Sequence, residues 1–261
     1  MTPTPVNEQI LQIDGCALHV RRAGEGEATL YLHGAHGAGK WGTLYESLSR
    51  HAALHVPEHP GFGRSQPRGP VDEVSDLAYF YLDYIESQGL KDVHVIGECI
   101  GGWTALEMAV RSPASIARLT LVNSAGIHVQ DVPKGDFFIA KTERLPDILF
   151  ADPARGRTLL AEDQAGVDPA IFHANRVMAA RLSWHPRLFD PKLERWLKRI
   201  KAPTTVIWGE QNKVFPLAYA KAFTEKISNS KMVVLKSCGH LAHLEQPAAL
   251  ADAIVSSRRS A

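Results

Sequence analysis

The chain has 261 residues, 45% hydrophobic and 22% charged, with a formal net charge of +1. That length fits one large domain, or one domain carrying an insertion, with a core big enough to need no disulfide or metal. The near-neutral balance argues against a nucleic-acid partner, and no apolar run approaches the roughly 20 residues of a membrane helix, which argues against a membrane partner.

Taken in chain order, residues 9–13 and 17–21 pair as a hairpin through Asp14-Gly15, a dipeptide suited to a tight type I′ turn. Segments 28–32, 54–56, 93–96, 119–122, 204–208 and 232–235 are further short strands. They are apolar on both faces and so suit a sheet covered on both sides. Helical spacing falls at 42–51, 73–88, 100–111, 217–227 and 248–258. Strands alternating with crossovers of this length predict an α/β fold with a mostly parallel, doubly wound sheet. From 127 to 198 no strand is legible, and Pro133, Pro146, Pro153, Pro169 and Pro186 break up apolar residues at helical spacing. So long a stretch is too long for a bare loop. It is predicted to be a helical cap at 127–198, between the two parts of a core at 1–126 and 199–261.

Three cysteines, Cys16, Cys99 and Cys238, make no disulfide framework, and the opening residues lack the basic and apolar regions of a leader. A reducing cytoplasm is the expected location. Twelve histidines occur without His-Glu-x-x-His or a paired Cys-x-x-Cys, so neither a metal nor another cofactor is expected. A homodimer is compatible with the sequence.

Gly34 to Lys40 has phosphate-loop spacing, but Trp41 stands where such a loop needs Ser or Thr to hold magnesium. Nucleotide binding is therefore set aside. Gly97-Glu98-Cys99-Ile100-Gly101 follows an apolar strand and precedes a helical pattern, the Gly-x-nucleophile-x-Gly elbow. A thiol placed there gains a helix N-terminus to stabilise the thiolate and the Ile100 N–H to stabilise an oxyanion. On these five residues alone, a small buried cysteine between glycines fits equally well. Further on, Trp208-Gly209-Glu210-Gln211-Asn212 and then Ser237-Cys238-Gly239-His240 each follow a strand, at the sheet edge where ligands of open α/β sheets bind.

Several blocks recur in order over nearly the whole chain: His33-Gly34, His59-Pro60-Gly61-Phe62-Gly63-Arg64-Ser65, the elbow, Trp208-Gly209, and Gly239-His240 with His243-Leu244-Glu245-Gln246-Pro247. Together they resemble the α/β-hydrolase family, and within it the branch of capped esterases and carbon–carbon-bond hydrolases. The resemblance implies an α/β-hydrolase fold with an eight-stranded sheet. It also implies an acyl-enzyme on Cys99, His240 as base, and the N–H of Ala35 as a second oxyanion donor beside that of Ile100. His33, His59 and His243 are expected to staple loops rather than to do chemistry.

The chain departs from the family pattern twice, with Cys99 for the usual Ser and Asn212 for the usual Asp. Read together, the departures fit a thiolate–imidazolium pair, which needs orientation more than a counter-charge. An Asn212 amide oxygen accepting from His240 Nδ1–H would provide that orientation. Competing accounts make Glu210 the acid, give Glu98 a catalytic role or a hydrogen bond inside the elbow, or take Cys99 and Asn212 as introduced substitutions that trap an acyl-enzyme. Cys238 is expected to be a small apolar residue at a strand end.

The expected activity is hydrolysis of an ester, thioester or lactone through Cys99, His240 and Asn212. An acyltransferase or cyclase using the same thioester, a carbon–carbon-bond hydrolase of diketone-type substrates, and a non-catalytic ligand-binding homologue stand as alternatives. In the cap, Phe137, Phe138, Phe150, Phe172 and Trp184 with His173, Arg176 and Arg181 suggest a mostly apolar pocket for a medium-sized small-molecule acyl substrate. His36, Phe138, Arg181 and Trp184 are the candidate contacts.

Overall fold

In the computed structural model, which describes residues 4–67, 69 and 71–258, strands β1 (Asn7–Ile13) and β2 (Cys16–Ala23) form the expected hairpin. Ile13 pairs with Cys16 across Asp14 and Gly15, whose φ values of +44° and +74° are those a type I′ turn requires. The hairpin continues into β3 (Ala28–Leu32), β4 (Ala53–Pro57), β5 (Val93–Glu98), β6 (Ile116–Val122), β7 (Thr204–Gly209) and β8 (Ser230–Leu235). The eight strands lie in the order β1-β2-β4-β3-β5-β6-β7-β8. Pairing is antiparallel from β1 through β2 to β4 and parallel from there on.

The helices are α1 (Thr43–Ser49), α2 (Val74–Ser87), α3 (Ile100–Arg111), α4 (Leu145–Leu149), α5 (Pro153–Gln164), α6 (Pro169–Ser183), α7 (Leu217–Lys226), α8 (Ala242–Glu245) and α9 (Pro247–Arg258). Alternation along the strands decides what each covers. Leu30, Leu32, Val95, Leu119, Leu121, Val206 and Trp208 join the core beneath α2, α3 and α7, whereas Tyr31, Ile96, Val122 and Ile207 join the core beneath α1 and α9. This is an α/β-hydrolase fold, with a mostly parallel eight-stranded sheet between two layers of helices.

Between β6 and β7, the stretch expected to be strand-free, the described residues make only α4, α5, α6 and two 3-10 turns, apart from one isolated bridge between Gly126 and Phe189. Three of the five prolines read as breaks, Pro146, Pro153 and Pro169, lie in the first turn of a helix. Pro153 and Pro169 open α5 and α6, where a missing N–H costs nothing, and Asp152 and Asp168 cap the same helices by accepting backbone N–H bonds. Helix α8, at four residues, is too short to leave a periodic signature.

Candidate active site

Strand β5 ends at Glu98, α3 starts at Ile100, and Cys99 between them has φ +50° and ψ −115°. A non-glycine residue held there costs on the order of 1–3 kcal/mol, so its surroundings must impose it. They do so by close approach. A Cβ at Gly97 would sit 2.3 Å from Gly101 O, and one at Gly101 would sit 2.1 Å from Leu32 O. Cys99 N–H donates to Val122 O (3.1 Å), and Cys99 O accepts from Trp103 N and Ala125 N at 3.1 and 3.0 Å. The thiol, 2% exposed, meets a cavity of about 590 Å³ whose walls include Phe137, Phe138, Leu145, Leu149 and Phe172.

Burial and the neighbouring Glu98 charge push the Cys99 thiol up to about 12, against the pull of the Ala35 and Ile100 backbone N–H groups that address it. Both expected oxyanion donors thus lie at the sulfur. His240 stands on the loop after β8. Its N–H donates to Leu149 O (2.8 Å), its carbonyl accepts from Asn123 Nδ2 (2.8 Å), and its ring packs with Phe137 and Phe215 at centroid distances of 6.3 and 5.6 Å. Burial in that setting pushes the imidazole down to about 4, although the Glu98 charge pulls it up. Burial thus disfavours both the thiolate and the imidazolium. This works against the expected preformed thiolate–imidazolium pair, because a water-poor pocket penalises both charges at once.

The role expected of the Asn212 oxygen is corrected. Asn212 Oδ1 accepts from the N–H groups of Val214 and Phe215, both at 3.0 Å, closing the turn after β7. Its Nδ2 and His240 Nδ1 are buried without hydrogen-bond partners. Glu210 is exposed and accepts only a long bond from Ser237 N, at 3.4 Å. Glu98, by contrast, is 2% exposed and fully engaged. Its Oε2 accepts from Tyr31 O–H (2.9 Å), and its Oε1 pairs with His243 Nδ1 (2.7 Å). Burial alone would raise the Glu98 carboxyl and lower the His243 imidazole. Their mutual attraction outweighs it, so Glu98 is shifted down and His243 up, the signature of an ion pair.

His33 and His59 staple loops. His33 Nε2 accepts from His59 N–H (2.9 Å), while the His59 ring engages His33 O (2.9 Å) and Tyr81 O–H (2.6 Å). His243 ties α8 to the elbow through the Glu98 carboxylate. Among the expected pocket contacts, His36 and Phe138 line the cavity, whereas Arg181 pairs with Asp72 at the surface and Trp184 is 47% exposed. The last turn of α6 carries those two side chains out of the pocket. Lys40 of the phosphate-loop-like segment reaches Glu162 O (2.5 Å).

Sequence reading missed the groups that hold these loops together. Asn123 donates to Gly239 O and His240 O and accepts from Gly209 N–H, joining the ends of β6 and β7 to the His240 loop. Glu245 accepts from Gly239 N (2.6 Å) and Ala151 N (2.9 Å). Asn175 donates to His36 O (3.1 Å), and Asp163 meets His36 Nε2 (3.2 Å), so α5 and α6 hold the loop that carries Ala35. The only sequence signal at Asn123 is a polar residue directly after an apolar strand, which any loop start shares.

The α/β hydrolase fold family matches residues 30–247, most of the chain, and the chain belongs to that family. It is 26% identical over 255 residues to a 2-hydroxy-6-oxo-6-phenylhexa-2,4-dienoate hydrolase of Comamonas testosteroni, covering 88% of this chain and 86% of that protein. It is 25% identical over 280 residues to a 2-hydroxy-6-oxo-6-(2'-aminophenyl)hexa-2,4-dienoic acid hydrolase of Metapseudomonas resinovorans, covering 97% and 92%. A thermophilic esterase from Thermogutta terrifontis superposes with a TM-score of 0.78 at 22% identity, covering 98% of each chain. The chain is thus a hydrolase of α/β fold. Among the described residues, no helix is long and apolar enough to cross a membrane.

Proposed function

We propose that the protein hydrolyses an ester, thioester or lactone through a covalent acyl-enzyme on Cys99, with His240 as the group that takes the thiol proton. The observation carrying this reading is the Cys99 thiol on its strained elbow, addressed by the Ala35 and Ile100 N–H groups at the wall of an apolar cavity. Two N–H groups on one reacting centre suit the oxyanion of a tetrahedral intermediate. The helices between β6 and β7 act as a cap that excludes water from it. Asn212 shapes the turn beside His240 rather than charging it. The substrate has a bulky apolar body, which Phe137, Phe138 and Phe172 enclose.

A second reading, cleavage of a carbon–carbon bond in a dienoate-type ketone, is favoured by the activities named for the two relatives and by Arg176. This cation lines the cavity, and its two contacts, to Thr142 Oγ1 and Phe138 O, are both 3.5 Å long, leaving it free for a substrate carboxylate.

One experiment separates these readings. The protein is incubated with activated aryl esters and, in parallel, with 2-hydroxy-6-oxo-6-phenylhexa-2,4-dienoate. The expected outcome is a mass adduct on the Cys99 peptide and a burst of phenol release. Turnover of the dienoate without an ester adduct would favour the second reading. Neither adduct nor turnover, with ligand binding intact, would leave a non-catalytic binder.

A further inference from the structure

The Glu98–His243 pair has no part in the chemistry described so far, yet both residues line the same cavity as Cys99 and His240. Glu98 is held on both oxygens, by Tyr31 O–H and by His243 Nδ1. His243 uses only Nδ1, and its Nε2 makes no hydrogen bond to any described residue. The charged and titratable groups acting on His243 are Glu98 and, more weakly, Asp163. His243 in turn acts on His240 and His33. One buried carboxylate thus serves two imidazoles at one pocket, bonded to one and attracting the other through space.

We propose that His243, fixed on Glu98, is the general acid that protonates the leaving group, while His240 serves the nucleophile; this rests on the Cys99 acyl-enzyme reading. In acylation, Cys99 Sγ bonds to the carbonyl carbon, its proton passes to His240, the bond to the leaving group breaks, and the leaving group takes the Nε2 proton of His243. In deacylation, water bonds to the same carbon and gives a proton to His243, the C–S bond breaks, and the thiolate recovers its proton from His240. The sum is acyl group plus water, with both histidines restored.

The reason for dividing the work is charge. Two imidazoliums beside one carboxylate repel each other, and His240 lacks a partner of its own on Nδ1. When His243 gives up its proton as His240 gains one, the pocket keeps one cation and one carboxylate throughout. Two titratable groups in one site with opposed protonation preferences are the pattern of an acid and a base.

The test compares kcat/KM for the nitrophenyl and ethyl esters of one acid. The acyl group is common, and only the ethyl ester's leaving group needs a proton to depart. His243→Gln is expected to lower the ethyl value about 100-fold more than the nitrophenyl value. Glu98→Gln, which keeps an acceptor for Tyr31 and loses the charge, is expected to do the same and serves should the first variant fold poorly. Equal losses on both esters, or no loss on either, would overturn the proposal. If the wild-type protein forms no Cys99 adduct from the nitrophenyl ester, the acyl-enzyme reading itself fails. An adduct with equal losses removes only the role given to His243.

Discussion

Asn212 Nδ2 and His240 Nδ1 are both buried, and neither has a hydrogen-bond partner. Their backbones are nonetheless tied together: Gln211 N–H donates to Cys238 O (2.9 Å), and Phe215, whose N–H binds Asn212 Oδ1, packs its ring on His240. The amide thus spends its acceptor on its own turn, and no acceptor meets His240 Nδ1.

Replacing Asn212 by Asp supplies that acceptor. One carboxylate oxygen keeps the Val214 and Phe215 bonds, and the other is free for His240 Nδ1–H, fixing the tautomer and stabilising the imidazolium. The Asn212→Asp variant should raise kcat/KM for a nitrophenyl ester roughly tenfold or more. An unchanged rate in steady-state assays would show that position 212 does not act on His240.

A thiol pushed up to about 12 by burial and by Glu98 is a poor nucleophile towards external reagents. Alkylation of the Cys99 peptide by iodoacetamide, followed by mass, should be very slow at pH 7 and rise about tenfold per pH unit, levelling off only near pH 12. The folded pKa lies above the unfolded one of 9.0, so the fold retains the proton; stability is unaffected below pH 9 and falls as pH rises from 9 towards 12. Rapid modification at neutral pH would mean that the thiolate already exists.

Burial pushes His55, His59 and His240 each down to about 4. Unfolded, these imidazoles take a proton near 6.5; folded, they refuse it until about 4. The unfolded state therefore binds more protons in that window, and stability is lost as pH falls through it, by on the order of 3 kcal/mol per such histidine. His243, shifted the other way, offsets a part of this below its unfolded value. The urea midpoint should drop steeply between pH 6.5 and 4. A flat midpoint across that range would contradict the burial assigned to these rings.

Asn123→Ala removes the two donor bonds to Gly239 O and His240 O and the acceptor bond from Gly209 N–H, and it places Ala at a φ of +45° that Asn tolerates better. At roughly 1 kcal/mol for each net bond, the loss should be about 3 kcal/mol in denaturant unfolding. Because the bonds hold the loop that carries His240, kcat should fall more than KM rises. A KM effect alone would place Asn123 in substrate binding instead.

Much of this architecture is written locally. Asp14-Gly15, the apolar runs of β3 and β5, and Ile100–Arg111 announce themselves because turn chemistry, alternation and helical period are short-range properties. The elbow is legible as a spaced pattern of glycines, although the crowding at Gly101 comes from Leu32 O of β3 and exists only once the sheet has formed. Arg181 and Trp184, expected as pocket contacts, face outward, because a shift of a few residues along α6 turns a side chain from pocket to solvent, and aromatic content does not report that angle.

Cys99, His240 and Asn212 are visible as residue types at fixed points in the chain, and so is their chain order. What each one does is a property of the assembled molecule. The Asn212 oxygen accepts from two backbone N–H groups two and three residues ahead, burial disfavours charge on Cys99 and His240, and Glu98 meets His243 at a separation of 145 residues. Sequence sets which groups can meet at the edge of a sheet. Solvent exclusion and competition among hydrogen-bond partners, which exist only once the chain is packed, set which of them carries a charge.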